Sequence, residues 1–193
     1  MIISRITSDI VYQKDSEKIL KEEHRMVSSK SDMDFWCDRF SLNMPYLMYL
    51  IDRCSLPENE YKKRMFWLMD SLLVSRPFLA HFFQDNILRI FLQLKDNSAL
   101  RSVTRVIVCD PNPPLFEPYF LSKCVELTMD IDVAVAVRCN TLELFSKAVV
   151  LEPDLLTELE WMLERLSEET APAIVSRVRK CRKLVQNLPI LSL

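Results

Sequence analysis

Arginine side chains recur in this sequence at a regular interval. Arg64, Arg101, Arg138 and Arg177 are separated by 37, 37 and 39 residues. A guanidinium group donates hydrogen bonds in a planar fork that matches carboxylate and phosphate groups. The interval therefore indicates either a ladder of ion pairs between repeated units or a basic stripe that meets an acidic partner or a phosphate backbone.

The repeated arginines and the basic residues beside them are the candidate partner-binding residues. They are Lys63, Arg64, Arg101, Arg105, Arg138 and Arg177. Positions four and seven after each repeated arginine share its helical face and are mostly apolar, so we expect the arginines at the edge of the core. For the ladder interpretation, Asp96, Asp130 and Asp132 are the expected carboxylate partners.

Catalysis, metal binding and cofactor binding have little support in the sequence. The only two histidines, His24 and His81, have no recognisable Cys, Ser or metal partner, and no C-x-x-C pair occurs among the six cysteines. The cysteines are predicted to be reduced, buried thiols. Because the chain contains no glycine, it has neither a P-loop nor a dinucleotide-binding fingerprint. We expect a protein that is not an enzyme and has no catalytic residue, metal or cofactor.

Prolines repeat in step with the arginines and divide the chain into units. Pro77, Pro114, Pro153 and Pro189 are separated by 37, 39 and 36 residues, and each follows an arginine by 12 to 15 residues. An interval of this size predicts stacked repeats. The predicted units are residues 43–75, 77–112, 114–151 and 153–188.

Apolar residues within these units follow a helical period. In residues 130–145, DIDVAVAVRCNTLELF, the valines alternate as in a strand, but the apolar pattern continues only on a helix, where Ala136, Asn140, Glu143 and Lys147 form one polar stripe. Each unit is predicted to be two antiparallel helices. Aromatic residues at helical spacing are predicted to lie in the core: Phe82, Phe83, Phe91, Phe116, Tyr119, Phe120 and Trp161.

Several segments resemble a family of small, uncharacterised bacterial HEAT-like repeat proteins with an armadillo-type fold. They are EYKKRMFWLMDSLLVSRPFL (60–79), SALRSVTRVI (98–107), VAVRCNTLELFSKAVVLEPDL (135–155) and SRVRKCRKL (176–184). The resemblance covers about residues 43–187 and implies a right-handed α-solenoid, without an established activity or catalytic residues. The predicted fold is therefore all-α, a right-handed α-solenoid of about four HEAT-like helix pairs in residues 43–193.

The first 42 residues differ in character and are predicted to form a partly mobile N-terminal helical cap. Ser31 or Asp32 is expected to cap a short helix that runs through Phe35, Trp36 and Phe40. Because the end of a solenoid would otherwise expose an apolar face, this segment is expected to cover the first repeat.

The chain has a small net charge and no long apolar segment. The net charge of −2 gives no overall attraction to nucleic acid. No 18-residue apolar run or signal sequence is present, so a cytoplasmic protein without a membrane partner is expected. We predict a non-catalytic binding or scaffold protein that recognises a protein partner through its second helices.

Two alternatives remain open. One is a nucleic-acid-binding protein related in architecture to helical-repeat DNA alkylation repair proteins, using the arginines and a terminal basic cluster of Arg179, Lys180, Arg182 and Lys183. The other is a homo-oligomer in which basic patches meet the acidic residues between Glu158 and Glu169 of another copy.

Overall fold

The chain is all-helical in the parts that its computed structural model describes, which are residues 29–41, 43–55, 62–113 and 117–186. These ranges contain ten α-helices and a short 3-10 turn at Pro153–Leu155, and no strand, so the predicted all-α class is confirmed. The helices are α1 (Lys30–Ser41), α2 (Met44–Ser55), α3 (Lys62–Ser75), α4 (Pro77–Phe82), α5 (Gln84–Gln93), α6 (Asn97–Cys109), α7 (Pro118–Met129), α8 (Val135–Leu151), α9 (Leu156–Leu166) and α10 (Pro172–Gln186). Most of the predicted N-terminal cap, together with His24, lies outside the described ranges.

The helices pack in two rows. In the first row, α1, α3, α6, α8 and α10 each contact the next helix, and in the second row α2, α5, α7 and α9 do the same. Helices that follow one another in the chain pair across the rows: α2 with α3, α5 with α6, α7 with α8, and α9 with α10. Buried apolar side chains from both rows form one continuous cluster, so burial of this shared core holds the rows together.

Helix α8 is the segment whose valines alternate like a strand. It begins at Val135, after the extended residue Ala134. Its four predicted polar-stripe positions are half-buried, while most of the remaining side chains in α8 are buried. The predicted helix and its stripe are therefore confirmed. The chain before α8 is tied to α6, because the Ala134 amide donates to Asn97 Oδ1 at 3.0 Å.

The first helix of the second predicted unit is divided in two. A single helix is predicted after Pro77, but α4 ends at Phe82 and α5 begins at Gln84. Phe83 lies between them with φ −101° and ψ 18°, outside helical geometry. The break turns Phe83 into the core, with 5% of its surface exposed, and leaves Phe82 69% exposed.

The prediction that the spaced aromatics are core residues is correct for some and wrong for others. Phe83, Phe91 and Phe120 are buried, as predicted. Phe82, Tyr119 and Trp161 are exposed, which corrects the prediction for those three; Phe116 is outside the described residues. Tyr119 lies at the start of α7 and Trp161 lies beside the buried stripe of α9, because aromatic identity and approximate spacing do not specify which side of a helix faces the core.

Helix α1 has a different N-terminal cap from the predicted one. The Asp32 amide donates to Ser29 Oγ at 3.1 Å, and the Ser29 amide donates to Asp32 Oδ2 at 2.9 Å. This reciprocal pair is a capping box, with Ser29 as the cap residue. Trp36 and Phe40 of α1 are buried, and α1 contacts both α2 and α3.

The helix ends are formed without left-handed residues. No residue in the described ranges has a positive φ angle, and all of their peptide bonds are trans. Leu94, Asp110 and Asp130 end α5, α6 and α7 in extended conformations, with ψ between 116° and 141°. Extended ends of this kind do not require glycine. No helix in these ranges has the length and apolar character needed to cross a membrane.

Candidate partner-binding surface

Arg138 is a buried link between three segments. Only 3% of its surface is exposed. Its Nε donates to the Thr128 carbonyl of α7 at 2.9 Å, and its two terminal nitrogens donate to the two carboxylate oxygens of Glu169, between α9 and α10. Arg138 therefore holds α7, α8 and the α9–α10 connection together, and it lies outside any surface that a partner could reach.

Arg105 links α6 to α3 through Asp70. Arg105 Nη1 lies 3.2 Å from Asp70 Oδ2, and the two side chains are 55% and 8% exposed, respectively. Burial raises the pKa of the Asp70 carboxyl to about 6, although the nearby Arg105 and Arg101 act in the opposite direction. Asp70 Oδ1 has no hydrogen-bond partner. The favourable interaction with Arg105 therefore offsets only part of the cost of burying the charged Asp70 carboxylate.

Arg177 links α10 to α8 by an ion pair with Glu143. Lys147 Nζ lies 4.0 Å from Glu143 Oε1 and donates to the Val108 carbonyl of α6 at 2.9 Å. Between α6 and α8, Asn140 Nδ2 also donates to Thr104 Oγ1 at 3.1 Å. Polar side chains therefore bridge α3 to α6, α6 to α8, and α8 to α10 along the first row.

The aspartates expected to pair with the repeated arginines have other contacts. Asp96 accepts a hydrogen bond from the Ala99 amide at 2.9 Å and caps α6. Asp130 accepts from the Asp132 amide at 2.8 Å, and the Asp132 carbonyl accepts from Asn97. Short polar side chains beside helix ends hydrogen-bond nearby backbone amides, which explains the contacts of Asp96 and Asp130.

The polar pairs observed between first-row helices are separated in the sequence by about one repeat. Asp70 and Arg105 are 35 residues apart, and Thr104 and Asn140 are 36 residues apart. Both intervals are close to the spacing of the repeated arginines. A search for complementary polar residues one repeat apart would find these pairs.

Four predicted binding residues are exposed on the first row. Lys63 and Arg64 lie one turn before Trp67 on α3, and Arg101 and Arg105 are exposed on α6. Trp67 is 41% exposed. Lys63, Arg64, Trp67, Arg101 and Arg105 are together called the Trp67 surface below. Sequence reasoning missed Trp67, whose signal was its position one turn after two basic residues.

An open groove joins three helices of the first row. It has a volume of about 520 Å³ and crosses α6, α8 and α10. Its polar lining consists of Arg101, Asn140, Ser176, Arg177 and Lys180, and no described acidic residue lines it. This groove, called the basic groove below, brings together Arg101 and Arg177 of the predicted set.

The end of the described chain separates charges of opposite sign. Glu158, Glu160 and Glu164 are exposed on α9, whereas Arg179 and Lys183 are exposed on the neighbouring α10. Glu169, at the end of the acidic run that begins at Glu158, is instead half-buried and pairs with Arg138. The acidic face of α9 favours positively charged groups, and the basic face of α10 favours negatively charged groups.

The cysteines and His81 are candidate nucleophiles or metal ligands. Cys109 is half-buried and the other five cysteines are buried, as predicted. Burial raises the pKa of the Cys37 thiol to about 11 and also raises the pKa values of Cys124 and Cys139, which disfavours the thiolate form. His81 Nδ1 lies 3.5 Å from Asp110 Oδ1. Across the described ranges, no group of three or more His, Cys, Asp or Glu side chains is arranged to hold a metal ion.

Comparisons of the chain with family models, with curated proteins and with solved structures gave no match.

Proposed function

We propose that this chain is an α-solenoid of HEAT-like helix pairs and acts as a non-catalytic binding or scaffold protein. The two rows, in which each helix contacts the next in its row, support a stack of repeated helix pairs. The polar bridges at intervals of 35 and 36 residues add support, since each joins neighbouring helices of the first row. Stacks of this kind present extended surfaces suited to binding other macromolecules.

Trp67 carries the proposal that the partner is a protein. It is a large aromatic side chain, 41% exposed, with Lys63 and Arg64 one turn before it. Tryptophan and arginine dominate the binding energy of many protein interfaces because they bury large areas and donate several hydrogen bonds. The Trp67 surface combines both residue types across α3 and α6.

The charge of this surface defines the partner's chemistry. Lys63, Arg64 and Arg101 are exposed cations. Asp70, the nearby carboxylate, is buried, pairs with Arg105 and interacts electrostatically with Arg101; one carboxylate among four cations leaves this surface positively charged. A partner that places acidic side chains around an apolar residue would complement the Trp67 surface.

The test is capture of a partner from native lysate by the purified full chain, followed by calorimetry with that purified partner. Trp67→Ala is expected to weaken binding by about tenfold or more, the range of an interface hot spot. Trp161→Ala is the matched control, because Trp161 is similarly exposed, at 45%, but lies on α9 in the second row. Circular dichroism of both variants checks that the helices are retained.

Two results would overturn the proposal. One is equal binding by wild type, Trp67→Ala and Trp161→Ala. The other is repeated failure to capture a protein while the purified chain turns over a compound in a small-molecule panel. Tight binding to mixed-sequence oligonucleotides that falls steeply with salt would instead support the nucleic-acid alternative.

A further inference from the structure

We propose that the basic groove binds a phosphate group carried on a side chain of the protein partner. This inference rests on the proposed function, because it assigns the chemistry of one part of the partner-binding face. The groove shares Arg101 with the Trp67 surface, so a protein bound at Trp67 can extend into it.

The charges in the groove favour a dianion. Arg101, Arg177 and Lys180 contribute three cations to the lining. Glu143 pairs with Arg177. In the described structure the Arg101 guanidinium and the Lys180 ammonium have neither a hydrogen bond nor an ion pair, and the carboxyl group that interacts electrostatically with Arg101 is that of the buried Asp70. Two unpaired cations match a phosphate monoester, which carries a charge of about −1.5 to −2 at pH 7.

The donor groups also match phosphate geometry. Arginine offers a planar fork, lysine offers a point charge, and the Asn140 amide and Ser176 hydroxyl offer neutral donors in the same groove. A phosphate group has three terminal oxygens that accept hydrogen bonds from several directions. A carboxylate has two oxygens and one charge, so it satisfies fewer of these donors.

Helix direction adds to the positive potential. The groove is lined by the second residue of α8, Ala136, and by Ala173 and Ser176 in the first turns of α10. Neither helix has an acidic residue in its first turn, and α8 has no side-chain hydrogen bond at its N-cap. Glu169 lies near both helix starts, but its two carboxylate oxygens accept from Arg138, so the positive ends of the helix dipoles still add to the potential that favours an anion in the groove.

The rest of the lining favours a peptide over a nucleic acid. The groove volume of about 520 Å³ exceeds what one phosphate ion fills, which leaves room for the residues on either side of a phosphorylated side chain. Val135, Ala136 and Ala173 supply small apolar contacts, and no described aromatic side chain lines the groove. Proteins that bind single-stranded nucleic acid usually stack bases on aromatic rings, whereas small apolar positions suit an extended peptide.

The first experiment uses defined probes. Inorganic phosphate, added at constant ionic strength, is expected to shift the amide NMR signals of Asn140 and Ser176, with chloride as the control. A degenerate peptide pool with a central phosphoserine is expected to bind more tightly than the same pool with serine. Lys180→Gln and Arg101→Gln are each expected to weaken phosphopeptide binding by about tenfold, the effect of losing one charge-assisted hydrogen bond.

Arg179→Gln is the matched control for Lys180→Gln. Arg179 neighbours Lys180 on α10 and is also exposed, but it does not line the basic groove. Arg179→Gln is therefore expected to bind phosphopeptide as tightly as wild type does. Equal losses in both α10 variants would show general electrostatic attraction and overturn a defined phosphate site. Tighter binding of a mixed-sequence oligonucleotide than of the phosphopeptide pool would also overturn it.

A second experiment separates this proposal from the proposed function. The captured partner is treated with phosphatase, and its affinity for the chain is measured again. A loss that matches the effect of Lys180→Gln supports the phosphate site. Unchanged affinity, with Trp67→Ala still defective, refutes the phosphate site and leaves the protein-binding function standing. Unchanged affinity with every variant refutes both.

Discussion

Burial assigns different roles to arginines that look equivalent in the sequence. Arg138 is 3% exposed, and its donors are directed to Glu169 and to the backbone of α7. Arg101 is exposed and lines the basic groove. A guanidinium surrounded by protein acceptors stabilises the fold, whereas one that faces solvent is available to a ligand. The repeated arginines therefore divide into structural and candidate binding residues.

Asp70 makes stability depend on pH in an unusual direction. Burial raises its pKa from 3.8 to about 6, so the folded chain binds the proton more tightly than the unfolded chain. Asp70 is therefore expected to make the free energy of unfolding fall as pH rises from 4 through 6, by about 1 to 2 kcal/mol, and then level off. Asp70→Asn is expected to remove this slope, as measured by urea unfolding at several pH values.

Arg105→Gln is expected to change the pH dependence of the free energy of unfolding in the opposite direction to Asp70→Asn. Arg105 favours the charged form of the Asp70 carboxyl, so its removal is expected to raise that pKa further. The destabilisation should then be larger at pH 7, where Asp70 is charged, than at pH 4, where it is protonated. An unchanged slope in Asp70→Asn would contradict the assignment of the titration to this residue.

The polar links between neighbouring helices were only partly predictable. Repeat spacing predicts that an arginine on one helix meets an acceptor on a neighbouring element, and this holds for Arg138. The acceptor could not be deduced from chain proximity, because Asp96 and Asp130 satisfy backbone amides beside them. Glu169 reaches Arg138 only because the connection after α9 returns to the start of α8, which is a property of the tertiary fold.

Arg138→Met tests this link between elements. The substitution keeps an apolar stem but leaves Glu169 and the Thr128 carbonyl without the guanidinium donors. The expected loss of unfolding free energy is about 2 to 4 kcal/mol, because one partner of a largely buried pair is removed. Chemical denaturation measures the change.

Arg179→Met makes a similar replacement at an exposed position on α10. It is expected to change stability by no more than about 0.5 kcal/mol. Equal effects from Arg138→Met and Arg179→Met would show that the buried contacts of Arg138 add little to stability.

At the scale of the whole molecule, the spacing of apolar residues predicted the helices correctly, whereas aromatic identity did not reliably predict burial. The all-α class and the helix at α8 followed from residues recurring at helical intervals, because burial of an apolar stripe is what stabilises each helix. The exposure of Phe82 and Tyr119 could not be predicted from this periodicity, since it depends on where a helix breaks or begins. The basic groove also lay beyond sequence reasoning, because it joins residues from three helices separated along the chain.

Position within the rows predicts a gradient of local stability. Helix α8 packs against α6, α7, α9 and α10, whereas α1 lies at one end of the first row and α10 at the other. Local opening is easiest where an element has few neighbours. Helix α3 also contacts four helices, so hydrogen exchange measured by mass spectrometry is expected to be slowest in α3 and α8 and fastest in α1 and α10. Equal protection across these helices would show that the chain opens only as one unit.

The helix ends formed without left-handed residues have a consequence for the unfolded chain. The sequence contains no glycine, and every described turn is built with negative φ angles. Each position where another protein would use glycine therefore has a Cβ atom, which restricts the denatured backbone. Replacing glycine at a compatible position typically stabilises a fold by about 0.4 to 1 kcal/mol through this restriction. Part of the stability of this protein therefore resides in the limited conformational freedom that its chain has before it folds.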